Sequence, residues 1–201
     1  RGVPGGGPPF TPRGWVVFVK VDASHPRQYW KPMKEISREM RIAVIASEDN
    51  RFVEHDGFDR KELAKMWKEH SDRGMKIRGC STISQQTAKN VFTWGSSTWI
   101  RKVFEAYWTV LIEKIWGKER ILEVYLNVAE MGKGIYGAEA AALEYYGCHA
   151  ADLNRSQSIA IAVCLPNPIR FNPRVKSSYL SERQAQIRSL IPKLEYPDWV
   201  R

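Results

Sequence analysis

Two adjacent carboxylates, Glu48 and Asp49, close an apolar helical run formed by Ile36, Met40, Ala43 and Val44. Within the next dozen residues come His55, Gly57 and the aromatics Phe52 and Phe58. Neighbouring acids at the mouth of an apolar segment are costly to bury, because each disfavours the other's ionised form. One of the pair is therefore expected to hold its proton more tightly than an ordinary carboxyl, as a general acid or base near neutral pH requires. Taken alone, the stretch fits equally well a helix end with two solvated charges and a histidine that caps a turn.

A second stretch of candidate chemistry follows at residues 78–92. Thr82 and Gln85 form a capping-box pattern, so a hydroxyl-rich loop that includes Ser81 feeds a helix N-terminus. Such a terminus offers unpaired N–H groups and partial positive charge to an anion. Gln86, Lys89 and Asn90 then recur at spacings of three and four, which puts them on one helix face. A solvated polar face gives the same pattern. A third stretch, Trp99 to Trp116, is apolar over most of its circumference, with Ile100, Val103, Phe104, Tyr107, Trp108, Leu111, Ile112 and Ile115. This composition predicts a central core helix. Its narrow polar stripe runs Arg101, Glu105, Thr109, Glu113, with Lys102 alongside. Glu105 is either half of an ordinary ion pair, worth a few tenths of a kcal/mol, or a second site carboxylate held by basic neighbours.

The elements that must position these groups are mainly α, seven or eight helices with little strand. Residues 14–22 carry the one strong β pattern. Pro32 is placed to open the first helix, which stops near Glu48. Asp59 with Glu62 reads as the start of a second helix that buries Leu63, Ala64 and Trp67 and ends at Gly74. Residues 118–128 and 138–146 continue as helices, separated by a glycine-rich turn. Asn154 and Gln157 cap a helix over 158–165, which Pro166 and Pro168 terminate. A final amphipathic helix spans about 179–194, with Ile187, Leu190, Ile191 and Leu194 inward.

The chain has 201 residues, enough for one well-packed domain. Residues 1–14 read as a Pro- and Gly-rich linker and residues 15–201 as a single domain of two lobes. A net charge of +9, from 31 basic and 22 acidic residues, suits an anionic partner. That partner is a phosphorylated substrate or an anionic bilayer surface rather than nucleic acid, because no nucleic-acid-binding motif is present. Cys80, Cys148 and Cys164 form neither a disulfide framework nor a zinc pattern. No apolar run reaches the length that spans a bilayer.

Read in order, these stretches resemble the peptidoglycan glycosyltransferases. Residues 48–59 (EDNRFVEHDGFD) resemble that family's first motif, 79–90 (GCSTISQQTAKN) its second and 101–105 (RKVFE) its third. Residues 121–127 (ILEVYLN) with 132–141 resemble the fourth, and residues 156–168 the fifth. The likeness covers roughly residues 30–190, and the absence of a transpeptidase domain before Arg201 resembles the monofunctional members. It implies a lysozyme-like helical fold with a membrane-facing small lobe. It also implies polymerisation of lipid II into glycan strands at the periplasmic face of a bacterial inner membrane, with cell-wall synthesis proteins as possible partners. On this likeness Glu48 is the general base and Glu105 the second glutamate, which assists the departing pyrophosphate and holds a divalent cation, Mg2+ or Mn2+. Lys89 matches a lysine on the donor phosphates. Ser81, Thr82, Gln85, Gln86, Asn90, Arg101, Lys102, Asp49 and His55 complete the expected substrate site. The chain departs from the family at Ser97, where arginine is frequent, and at Cys80, where glycine or alanine is usual.

Two rivals remain at this level. A lysozyme-like hydrolase also uses acids on a helical fold, but cleaving an uncharged link needs no phosphate-binding lysine such as Lys89. A non-catalytic envelope-binding module needs no pair of acids on separate elements.

Overall fold

The computed structural model describes residues 27–73, 81–93 and 98–200. The strand expected over 14–22, the linker 1–14, the helix end at Gly74 and the departures at Cys80 and Ser97 lie outside them. Eight helices carry the described fold: α1 (Arg38–Glu48), α2 (Arg60–Arg73), α3 (Ile83–Phe92), α4 (Trp99–Ile115), α5 (Gly117–Val128), α6 (Gly137–Tyr146), α7 (Arg155–Ala162) and α8 (Ser178–Leu190). Three short strands accompany them: β1 (Arg27–Gln28), β2 (Glu130–Gly132) and β3 (Ile135–Tyr136). They form one sheet in the order β1-β3-β2, with β1 parallel and β2 antiparallel to β3. The mainly α expectation holds.

Local capping explains most helix starts. Thr82 and Asn154 each close a reciprocal capping box with the glutamine three residues on, and Asp59 Oδ1 accepts the Glu62 N–H. Pro32 does not open α1. It precedes a 3-10 turn, Met33–Glu35, and the Ser37 side chain caps α1 by accepting from the Met40 N–H. The next helix after Asn154 begins at once, as α7, rather than at Ser158, because its cap lies immediately before Arg155. At the other end of the chain α8 gives way at Leu190 to a 3-10 turn containing Pro192.

The central core helix is α5, not α4. Ile121, Leu122, Val124, Tyr125, Leu126 and Val128 of α5 are all buried. Small residues of α6, Ala138, Ala140, Ala141 and Ala142, pack closely beside it. Gly137 opens α6 at φ +82°, where a Cβ would lie 2.7 Å from the Asn127 carbonyl oxygen. Asn127 itself, which ends the 121–127 stretch, ties down the chain entering from β1. Its Nδ2 donates to Lys31 O at 2.8 Å and its Oδ1 accepts from Lys31 N at 2.7 Å.

Helix α4 is turned the opposite way from the expectation. Its buried residues are Glu105, Thr109 and Ile112, so most of the polar stripe faces the protein. Trp99, Ile100, Val103, Phe104, Tyr107, Val110 and Ile115 are exposed, Trp99 at 81%. Only Ile112 of the apolar set is buried; Trp108 is half-buried and stacks on Phe92 with ring centroids 4.4 Å apart. On α2 the residues expected inside, Leu63, Ala64 and Trp67, are likewise exposed. The inversion has a simple cause: the interior beside α4 is polar, occupied by the groups that build the site.

Candidate active site

A cavity of about 960 Å³ opens between α1, α3, α4 and α8. Its described lining includes Glu48 from α1, Gln86, Lys89 and Asn90 from α3, and Glu105 from α4. Ser81, before α3, and Tyr125, on the core helix α5, complete that side. The fold therefore brings both candidate glutamates and the candidate phosphate-binding lysine to one space, although 57 residues separate Glu48 from Glu105 in sequence.

Glu48 holds its proton more tightly than an ordinary carboxyl. Burial is the main cause, opposed by a hydrogen bond from Gln86 and by the charge of Arg183; repulsion from Asp49 contributes least. The expected perturbation is present, but desolvation rather than the neighbouring acid produces it. Gln86 Nε2 donates to Glu48 Oε2 at 3.1 Å and to Ser81 O at 3.1 Å. Tyr125 Oη in turn lies 3.2 Å from Gln86 Oε1.

Asp49 and His55 face each other inside the protein rather than lining the cavity. His55 Nε2 lies 2.9 Å from Asp49 Oδ1, and Asp49 Oδ2 accepts from the Ile83 N–H at 3.0 Å. The buried Nδ1 of His55 has no partner, which the tautomer with its proton on Nε2 leaves as a bare lone pair. Thr82 and Gln85 are committed to the α3 cap, and the Thr82 hydroxyl also donates to Gly57 O at 2.7 Å. These four residues brace the loop after α1 against α3, which sets where Glu48 and Lys89 stand. Gly57, at φ +88°, continues the brace: a Cβ there would come 2.7 Å from Thr109 Cγ2 and 3.1 Å from Glu113 Cγ.

Glu105 is 2% exposed and carries a cation on each oxygen. Arg101 Nη1 donates to Oε2 at 3.2 Å and Lys102 Nζ donates to Oε1. Neither base lines the cavity itself, but both sit on the carboxylate that does. A second acid of α4, Glu113, is held behind the site by Ser84 and by Lys118, the latter at 2.7 Å. No group of three His, Cys, Asp or Glu side chains gathers in metal-ligand fashion among the described residues.

The opposite wall was not anticipated from the sequence. Tyr179, Glu182, Arg183 and Gln186 of α8 line the cavity, with Leu165, Pro166 and Pro168 after α7 and Glu130 of β2. Arg183 reaches toward α1, its Nη2 donating to Ser47 O at 3.2 Å. The spacing of three, four and seven residues along α8 was available as a signal. It marks a polar face, and nothing local distinguishes that face from an ordinary solvated one.

A family model described as transglycosylase matches residues 16–191. The chain is 57% identical over 167 residues to a biosynthetic peptidoglycan transglycosylase of Bacteroides thetaiotaomicron, covering 82% of this chain and 67% of that protein. It is 46% identical over 178 residues to the protein of the same description from Aeromonas hydrophila, covering 89% and 75%. A third such protein, from Caulobacter vibrioides, is 47% identical over 180 residues, covering 90% and 77%.

Proposed function

This chain belongs to the transglycosylase family, and on that premise we propose that it is a peptidoglycan glycosyltransferase that polymerises lipid II into glycan strands. The observation that carries the reading is the cavity itself, which brings a buried Glu48 of raised proton affinity to one space with Lys89 of α3 and with Glu105 of α4. The reaction needs both a base and a cation. As the acceptor sugar's 4-hydroxyl oxygen bonds to the donor's anomeric carbon, the carboxylate of Glu48 takes the hydroxyl proton. The bond from that carbon to the pyrophosphate oxygen breaks, and its electron pair leaves with the lipid pyrophosphate. Attack and departure on opposite faces invert the anomeric centre.

A pyrophosphate leaves without needing a proton, but its charge has to be met. Lys89 lines the cavity for that role, and Arg101 and Lys102 stand on Glu105 beside it. The donor set does not fit a divalent cation held by Glu105, because both oxygens of that carboxylate already face cations that would repel it. Side-chain cations therefore supply the charge in this mechanism.

The exposed apolar face of α2 and α4 supports a position on a membrane. Trp67, Trp99, Ile100, Val103 and Tyr107 are exposed on a chain of net charge +9. A face of this kind lies in the headgroup region of an anionic bilayer without crossing it. No helix among the described residues is long and apolar enough to cross. Such a bilayer, the periplasmic face of the inner membrane, is where a lipid-linked substrate presents its sugars.

The test is to incubate the purified protein with labelled lipid II in detergent. Lysozyme-sensitive polymer supports the reading. Shortening of a preformed glycan with no polymer formed overturns it in favour of a hydrolase.

A further inference from the structure

We propose that Tyr125 is a positioning residue for Glu48, acting through the side-chain amide of Gln86; the proposal rests on the glycosyltransferase reading of the cavity. Tyr125 is 1% exposed and stands on the core helix α5, so its phenol is fixed by packing rather than by substrate. Its burial pushes the phenol well above its ordinary proton affinity, which keeps it a hydrogen-bond donor throughout the working pH range.

Three neighbours leave the Gln86 amide one orientation. Its Nε2 faces two acceptors, Glu48 Oε2 and Ser81 O, both at 3.1 Å. Its Oε1 faces the Tyr125 hydroxyl at 3.2 Å. A flipped amide would set its oxygen against both acceptors at once. The consequence for Glu48 is twofold. The N–H on Oε2 favours the ionised carboxylate against the burial that opposes it. It also fixes the carboxylate through Oε2, and the Ser47 side chain, which favours the ionised form as well, is the other hydrogen-bonding neighbour.

The other charges around Glu48 come from several elements. Arg183 on α8 favours its ionised form and Asp49 at the end of α1 opposes it. Lys89 on α3, Glu105 on α4, Glu130 on β2 and Glu182 on α8 line the rest of the same cavity. Substitution of Tyr125 leaves all of these in place, so its effect reports on the Gln86 contact.

The experiment is Tyr125→Phe, which keeps the ring in the core and removes only the hydroxyl. With lipid II, kcat is expected to fall roughly five- to tenfold at unchanged KM, the scale of one hydrogen bond of ordinary strength. The acid limb of the pH–rate profile is expected to move to higher pH. In a Gln86→Ala background the same substitution is expected to add nothing, because its route to Glu48 is gone. A substrate-free arm follows the Glu48 carboxyl by 13C NMR, assigned by its absence in Glu48→Gln; its titration is expected at higher pH in Tyr125→Phe. An unchanged titration, or losses that simply multiply with Gln86→Ala, overturns the proposal. If the unaltered protein makes no polymer, the glycosyltransferase reading fails while the titration still decides whether Tyr125 tunes Glu48.

Discussion

Removing the Asp49 carboxylate, by Asp49→Ala, is expected to damage the scaffold of the site rather than its chemistry. Asp49 is 7% exposed, and its two oxygens satisfy His55 Nε2 at 2.9 Å and the Ile83 N–H at 3.0 Å. Alanine would strand both donors in the interior. Each buried donor left without a partner costs about 1–3 kcal/mol, so the two together cost about 4 kcal/mol. In a domain of this size that corresponds to a fall in Tm of about 8–16 °C. Differential scanning calorimetry measures it directly. Hydrogen exchange should show the Ile83 amide losing protection before the rest of α3, since that N–H is the one released. Asp49→Asn keeps an oxygen for Ile83 and is expected to lose less than half as much. A Tm within about 2 °C of the unaltered protein in Asp49→Ala would refute the brace, and the residue would have to be reconsidered as a substrate contact.

Glu48→Gln is expected to raise stability near neutral pH, as for a buried acid whose folded-state proton affinity exceeds its unfolded one. The unaltered chain loses stability as pH rises from the unfolded value through the raised folded one, so the two proteins should match in acid and diverge above it; an equal Tm at every pH would contradict this. Gly57→Ala should lower Tm and activity together, because φ +88° and a Cβ 2.7 Å from Thr109 Cγ2 force the loop off α4; unchanged thermal unfolding would count against the close approach. Replacing Trp67 and Trp99 by serine should weaken flotation with vesicles containing anionic phospholipid and leave thermal unfolding nearly unchanged, since both rings are exposed. Equal flotation would remove these helices from the membrane contact.

What the sequence made legible was mostly local. Capping boxes at Thr82–Gln85 and Asn154–Gln157 involve residues three apart, so their pattern carries the structure with it. The candidate carboxylates and Lys89 were legible through motif spacing, and the fold gathers them in one cavity. The orientation of α4 was not. Periodicity reveals that a helix has two faces, and the inward direction is then assigned on the assumption that water lies outside. Here the polar stripe of Glu105 and Thr109 is buried and the apolar side is exposed. The bracing roles of Asp49 and His55 were hidden for another reason. A carboxylate, an imidazole or an amide that holds a loop is the same residue type as one that binds a sugar, and only its partner tells them apart. Arg183 and Tyr125 needed tertiary structure, since each meets Glu48 or Gln86 across a wide gap in sequence.

The claim at the centre is that the carboxylate of Glu48 removes the acceptor proton. The most direct measurement is a single-turnover assay of Glu48→Gln with labelled lipid II, run beside circular dichroism and a binding measurement on the same preparation. Folded protein that still binds lipid II and makes no polymer is the predicted result. Polymer formed at a rate near that of the unaltered protein would contradict the assignment and return the search for the base to the other acids of the cavity, Glu130 and Glu182 among them.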